Sequence, residues 1–332
     1  MSDFNILIVG CGELGSRHLQ AVASLPRVSR VEVVDARPEA LEVAKSRLKD
    51  LPNLNPSIQF RWLNSLEQAT REGDLCIVAT QAKGRARLVM EIAERLGFKR
   101  FILEKIVEQS LSQYETLLQF SKAQGLSVWV NFKTRTYLYH KRIKELLKEA
   151  SPITFSVLCG NHGLANSGIH LVDLFVFYDH CRTLQKLGSN IDAVLHPTKR
   201  GLYDLSGQLQ IGSEKGSILN LSYDQKNMNP PLYSIVAKDH RFVFDHAHTD
   251  SSKRWAFESH ADESWVWKPF SLDGNFQVSH MTRAFVESIL LNNICELPTL
   301  EEVHLAHSFL LGTLQPVFNT LLNQESKDCP VT

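Results

Sequence analysis

The run Ile6-Leu-Ile-Val-Gly10-Cys-Gly12-Glu-Leu-Gly15 constrains this chain more than any other stretch, because an apolar strand passes straight into G-x-G-x-x-G and then into a helical pattern. In a dinucleotide site Gly10 allows the tight turn off the strand and Gly12 lets the backbone approach a pyrophosphate. Gly15 lets the following helix pack closely, with its first N–H groups facing the phosphates. A second apolar strand, VEVVD, ends in Asp35 about 20 residues beyond the glycines, where a carboxylate can accept hydrogen bonds from the adenosine ribose hydroxyls. A glycine-rich turn alone could serve packing only; followed by an acid at that distance, it points to a nicotinamide dinucleotide. Asp35 repels a ribose 2′-phosphate and so favours NAD(H) over NADP(H), whereas Arg37, two residues on, could receive that phosphate if it turned inward.

Apolar strand patterns at 5–9, 30–34, 75–79, 100–104 and 127–131 alternate with helical periodicity at 15–25, 37–51, 84–96 and 110–124. Such alternation predicts an α/β fold whose first half is a doubly wound parallel sheet of Rossmann type. Ligands of these sheets bind at the carboxyl ends of the strands. Gly10, Gly12, Glu13, Leu14, Gly15, Asp35, Arg37, Thr80, Gln81 and Glu104 are therefore the expected cofactor-binding residues, with Asn131 on the same edge. Beyond about residue 150, short period-two stretches predict a mostly antiparallel open sheet, closed by helices at 279–293 and 300–323. The expected domains are an NAD-binding unit over 1–131, a substrate-binding and oligomerisation unit over 132–323, and a flexible tail over 324–332.

Charge narrows the partners. The 332 residues carry 36 Lys plus Arg against 36 Asp plus Glu, with no basic run, which argues against nucleic acid or an anionic membrane and for a compact solute. No stretch resembles a signal h-region or a membrane span, so a cytoplasmic protein is expected. The six cysteines show no C-x-x-C spacing and read as reduced thiols. Asp245-His246-Ala-His248-Thr-Asp250 has H-x-H spacing but no third ligand identifiable from sequence, and the expectation is a metal-free protein.

Two groups could do chemistry. Lys105, after Glu104 at a strand end, could polarise a carbonyl or hold a substrate hydroxyl; its plain alternative is a solvated lysine. His170 and Asp173, three apart on a helix with Asn166 one turn earlier, could form a tuned proton acceptor; the alternative is a histidine bonded within its own helix.

The glycine turn followed by Arg17-His18, the Glu104-Lys105 pair, Asn131-Phe-x-x-Arg135, Gly168-Ile-His170-Leu-Val-Asp173 and Leu297-Pro-Thr-Leu-Glu301-Glu302 together resemble the glucose-fructose oxidoreductase / inositol dehydrogenase (Gfo/Idh/MocA) family. The resemblance implies NAD(P)-dependent oxidation or reduction at a carbinol or keto carbon of a sugar, inositol or nucleotide sugar. It also implies a homo-oligomer, dimer or tetramer, joined through the second domain's sheet. By position it makes Lys105 and His170 catalytic, and Lys105, Arg135, Asn166, His170 and Asp173 the substrate contacts. The family's usual Glu-Lys-Pro is here Glu104-Lys105-Ile106, and Asn166 stands where the family commonly has Asp. Those departures keep two rivals open: an enzyme that retains its nicotinamide for epimerisation, elimination or glycoside cleavage, and a non-catalytic NAD-responsive regulator.

Overall fold

The computed structural model describes residues 4–160, 163–198, 201–245, 253–272, 274 and 276–331. The first 130 or so residues alternate as the sequence patterns predict: β1 (Phe4–Val9), α1 (Glu13–Val22), β2 (Val28–Val34), α2 (Pro38–Lys49), β3 (Gln59–Leu63), β4 (Leu75–Val78), α3 (Arg85–Leu96), β5 (Arg100–Leu103), α4 (Leu111–Ala123) and β6 (Ser127–Val130). All six strands are parallel in the order β3-β2-β1-β4-β5-β6. This is the Rossmann arrangement of two mononucleotide-binding halves that meet between β1 and β4. The central strands β1 and β4 are almost wholly buried, which is why they read as unbroken apolar runs. β3 escaped the sequence reading. At the sheet edge its pattern Gln-Phe-Arg-Trp-Leu is half exposed and carries a charge, so it lacks the apolar continuity of its neighbours.

The later elements are α5 (Leu138–Leu147), β7 (Thr154–Gly160), α6 (Leu164–Asp179), β8 (Leu184–Ile191), β9 (His196–Pro197), β10 (Tyr203–Asp204), β11 (Gly207–Ser213), β12 (Ile218–Asp224), β13 (Leu232–Val236), β14 (His240–Asp245), β15 (Trp255–His260), β16 (Lys268–Pro269), α7 (Val278–Asn292) and α8 (His304–Leu322). Eight of the strands form a mixed sheet in the order β16-β15-β14-β13-β7-β12-β11-β8, in which only β7 and β12 run parallel. Strand alternation gives this sheet one buried face, with Phe155, Val157, Leu219, Leu221, Ile235, Phe242 and Phe244. The opposite face leaves Leu158, Val236, Trp255 and Phe257 exposed.

The chain divides into two compact units: residues 1–133 with 275–302, and 134–274 with 303–332. The sequence reading placed 132–323 in one domain. In the structure α7 packs on α1 instead, adding Phe285, Val286, Ile289 and Leu290 to the first unit's core. An amphipathic helix shows that it buries a face, not which sheet receives it. The tail beyond residue 323 is not loose either. Cys329 and Val331 are fully buried, and the Tyr203 N–H donates to the Pro330 carbonyl at 3.1 Å.

Candidate functional site

The glycine turn has the geometry a dinucleotide loop needs. Gly10 has φ of +86°, and a Cβ on it would lie 2.7 Å from the Thr80 nitrogen, so only glycine lets β1 turn against the end of β4. A Cβ on Gly15 would stand 1.9 Å from the Gly10 carbonyl oxygen, which makes close approach of α1 to the turn conditional on glycine. Gly12 is the N-cap of α1 and has no side chain to accept from the first-turn N–H groups, while Glu13 and Leu14 are exposed there. A helix start bare of a side-chain cap leaves first-turn N–H groups from which an anion can accept.

Asp35 stands at the end of β2 and is buried. Its Oδ2 accepts from the Cys11 N–H at 2.8 Å, which joins it to the glycine turn. Its Oδ1 accepts from the Arg37 N–H at 3.0 Å, and the Arg37 guanidinium reaches both oxygens, Nε to Oδ1 at 3.2 Å and Nη2 to Oδ2 at 3.3 Å. Burial pushes the carboxyl up, but these donors together hold it below the ordinary aspartate range. These positions fit a nicotinamide dinucleotide: a cradle that any Cβ would fill, a bare helix start and an ionised acid beside both.

At the ends of β4 to β6 lies a buried polar network. Glu104 Oε1 accepts from His18 Nε2 at 2.8 Å and from Asn131 Nδ2 at 2.6 Å, while His18 Nδ1 lies 2.9 Å from Thr282 Oγ1 on α7. A carboxylate can only accept, so Nε2 carries a proton; in the neutral imidazole Nδ1 then accepts from the threonine hydroxyl. Burial raises the Glu104 carboxyl, but the His18 and Asn131 bonds and the Arg85 charge outweigh it and bring the carboxyl to about 2. Lys105 is half-buried between the buried Glu104 and Ile106, and the Lys105–Ile106 peptide is cis. Thr80 and Gln81 are half-buried at the end of β4, where Thr80 Oγ1 lies 3.2 Å from the Gln81 carbonyl.

The second unit holds the other group. Arg135 and Asp173 are both buried and form a bidentate pair, Nε to Oδ2 and Nη2 to Oδ1, each 2.6 Å. His170 is half-buried on α6, three residues before Asp173. The Asn166 side chain donates from Nδ2 to Asp204 Oδ2 at 2.7 Å, and Asp204 Oδ1 accepts from the N–H groups of Ala165 at 2.7 Å and Asn166 at 3.3 Å, capping α6. A Cβ on Gly163 would meet the Asp204 carboxyl carbon at 1.8 Å, so that glycine admits the cap. Burial pushes Asp204 above the ordinary range despite these bonds.

Sequence reasoning missed Asp204, Arg85 and the partners of Glu104. Asp204 hid among the period-two stretches expected beyond residue 150; it ends β10, and the sheet strand β11 starts only at Gly207. Arg85 carried a usable signal, a charge on the apolar stripe of α3 in spacing with Val89, Ile92 and Leu96, all buried. His162, His246, His248 and Asp250 lie outside the described residues. Among those described, no group of three His, Cys, Asp or Glu side chains could hold a metal.

Residues 4–132 match the family model described as oxidoreductase family, NAD-binding Rossmann fold (GFO_IDH_MocA). The first unit carries the Gfo/Idh/MocA domain. That domain is an oxidoreductase module that binds a nicotinamide dinucleotide through its Rossmann fold. No curated protein matches the chain significantly. Solved structures align over nearly the whole length. The UDP-N-acetylglucosamine 3-dehydrogenase of Acidithiobacillus ferrooxidans is 14% identical, with TM-score 0.72, over 97% of this chain and 100% of its own. The WlbA dehydrogenase of Bordetella pertussis, in complex with NADH and UDP-GlcNAcA, is 14% identical, with TM-score 0.70, over 96% and 97%. A 3-ketoreductase of Actinomadura kijaniata, in complex with TDP-benzene and NADP, is 16% identical, with TM-score 0.70, over 93% and 96%. At such identities the likeness establishes that the Gfo/Idh/MocA domain is followed by the same second-domain fold.

Proposed function

We propose that this Gfo/Idh/MocA chain is an NAD-dependent dehydrogenase or reductase acting at a carbinol or keto carbon of a sugar, with nucleotide sugars the favoured class. The observation that carries the reading is the Gly10–Gly15 cradle bonded to an ionised, buried Asp35. Asp35 supports NAD(H) over NADP(H), because a second anion on the ribose would face its carboxylate. The substrate class rests on the three relatives above, each named for or bound to a nucleotide-diphosphate compound.

The bound nicotinamide supplies hydride acceptance and donation. In the oxidation direction Lys105 holds the substrate oxygen and stabilises its developing negative charge, while His170 takes the hydroxyl proton as the carbon loses hydride. In reduction His170 returns the proton while Lys105 again holds the oxygen. Asp173, three residues after His170 on α6, is held by its ion pair with Arg135, and Asn166, whose Nδ2 is bonded to Asp204, offers its amide oxygen to substrate hydroxyls. The open face of the second sheet, with Trp255, Phe257 and Leu158 exposed, supports assembly of copies through that face.

The test is NADH formation by the purified chain with UDP-N-acetylglucosamine, its uronate, a TDP-sugar and inositol as candidate substrates. With the substrate found, His170→Ala is expected to lower kcat by on the order of 10²–10⁴-fold and leave NAD affinity nearly unchanged. Tight NAD binding with no turnover of any candidate would favour the regulatory reading over the enzymatic one.

A further inference from the structure

The first unit buries a guanidinium that the cofactor loop does not use. Arg85, the first residue of α3, is 1% exposed. Its Nη1 donates to the carbonyls of Glu104, at 2.5 Å, and of Ile106 and Val107, and its Nη2 donates to the carbonyl of Thr80. These acceptors share one location. β4 ends at Val78 and β5 at Leu103, and the last ladder bonds run from the Glu104 N–H to Val78 and from the Asn131 N–H to Leu103. Thr80 and residues 104–107 lie just beyond them, where no sheet bonding dictates the path of the chain.

We propose that Arg85 is the positioning residue of the nicotinamide half of the cofactor site, tying the carboxyl ends of β4 and β5 together and fixing the segment that carries Lys105. The inference rests on the cofactor reading above. In a sheet of order 3-2-1-4-5-6, β1 to β3 form the mononucleotide half that holds the adenosine, and β4 to β6 form the half that holds the nicotinamide. All four carbonyls gripped by Arg85 belong to the second half.

The local chemistry explains why arginine suits the position. A planar guanidinium can serve several carbonyls at fixed angles, and a lysine ammonium cannot match that fork. Burial alone would cost the charge dearly, but Glu104 and Glu108 offset part of it, so that the group, lowered to about 10, stays ionised at neutral pH. Glu108 also anchors the arginine's own turn: it accepts from the N–H groups of Gly84 and Ala86, each at 3.0 Å, and so caps α3. Glu104 thus meets Arg85 through its carbonyl and His18 through its carboxylate, which holds the residue before Lys105 at both ends.

Calorimetric titration of the full chain with NAD⁺ and with ADP-ribose, which keeps everything but the nicotinamide, tests this. Arg85→Met keeps the bulk and removes the donors. Its Kd for NAD⁺ is expected to rise on the order of tenfold, with the Kd for ADP-ribose unchanged within about twofold. Equal losses for both ligands would make Arg85 a general support of the fold, and no loss for either would remove it from the site; each result overturns the proposal. Should Arg85→Met not fold, Arg85→Lys keeps the charge but not the fork. It is expected to show a smaller loss confined to NAD⁺, and an equal loss or none again overturns the proposal. A wild-type chain that binds neither ligand would defeat the cofactor reading itself, a result distinct from a variant that loses both.

Discussion

Arg135 grips Asp173 through two parallel hydrogen bonds of 2.6 Å, so the carboxylate that helix spacing places beside His170 has its strongest partner 38 residues away in sequence. With Asp173 at 1% and Arg135 at 9% side-chain exposure, removing either partner strands a charge in the core. Arg135→Met or Asp173→Leu is expected to cost about 3–5 kcal/mol in urea unfolding. The double variant should lie much closer to wild type than the sum of the two. Simple additivity would show that the pair contributes no coupling.

The His18–Glu104 bond predicts an acid-sensitive fold. Glu104 has a folded-state value of about 2, below its ordinary value, so its contribution is fully present above about pH 5 and is lost as pH falls toward that folded value. Thermal melts of wild type between pH 5 and pH 3 should therefore fall more steeply than those of Glu104→Gln. The differential is on the order of 2 kcal/mol. Parallel profiles would mean that other carboxylates govern the acid limb.

Arg37 sets a competition at the ribose end. A carboxylate has about four acceptor positions, and Asp35 already receives the Cys11 N–H, the Arg37 N–H and two guanidinium donors. Ribose hydroxyls must displace the guanidinium, and once displaced it can pair with a 2′-phosphate. Arg37→Ala is thus expected to tighten NAD(H) and weaken NADP(H), changing their affinity ratio on the order of tenfold. A ratio that stays constant in fluorescence titration would take Arg37 out of cofactor choice.

The first unit was legible because its constraints are local. A glycine forced by φ, an acid at a fixed offset and strands buried on both faces leave marks within a few residues of one another, and β1, β2, β4, β5 and β6 each ended within a residue or two of expectation. What escaped was set by distant packing. The destination of α7, the seating of the tail around Cys329 and the pairing of Asn166 with Asp204 each depend on a partner dozens or hundreds of residues away. β8 escaped for a different reason: at one edge of its sheet, with half-buried and exposed positions throughout, it shows no period-two pattern to read.

Asn166 and Asp204 give the most discriminating substitution. From sequence, restoring a carboxylate at position 166 should raise the pKa of His170 and carry the pH–rate profile upward. The structure changes that expectation, because Asn166 Nδ2 donates to Asp204 Oδ2 at 2.7 Å and an aspartate there would set two carboxylates oxygen to oxygen. Asp204 is already pushed up by burial, so the pair would share one proton with a value raised above either acid alone. A raised folded-state value stabilises below the unfolded pKa and is lost as pH rises through the folded one. Asn166→Asp should therefore melt nearest wild type below about pH 4, the unfolded aspartate range, and fall progressively below it as pH rises from there. Asn166→Asp combined with Asp204→Asn restores one amide against one carboxylate, keeps an oxygen to cap α6, and should abolish that pH dependence. A single variant as stable at pH 8 as at about pH 4, relative to wild type, would show that the two side chains part when both are charged, leaving the original expectation for His170 in force.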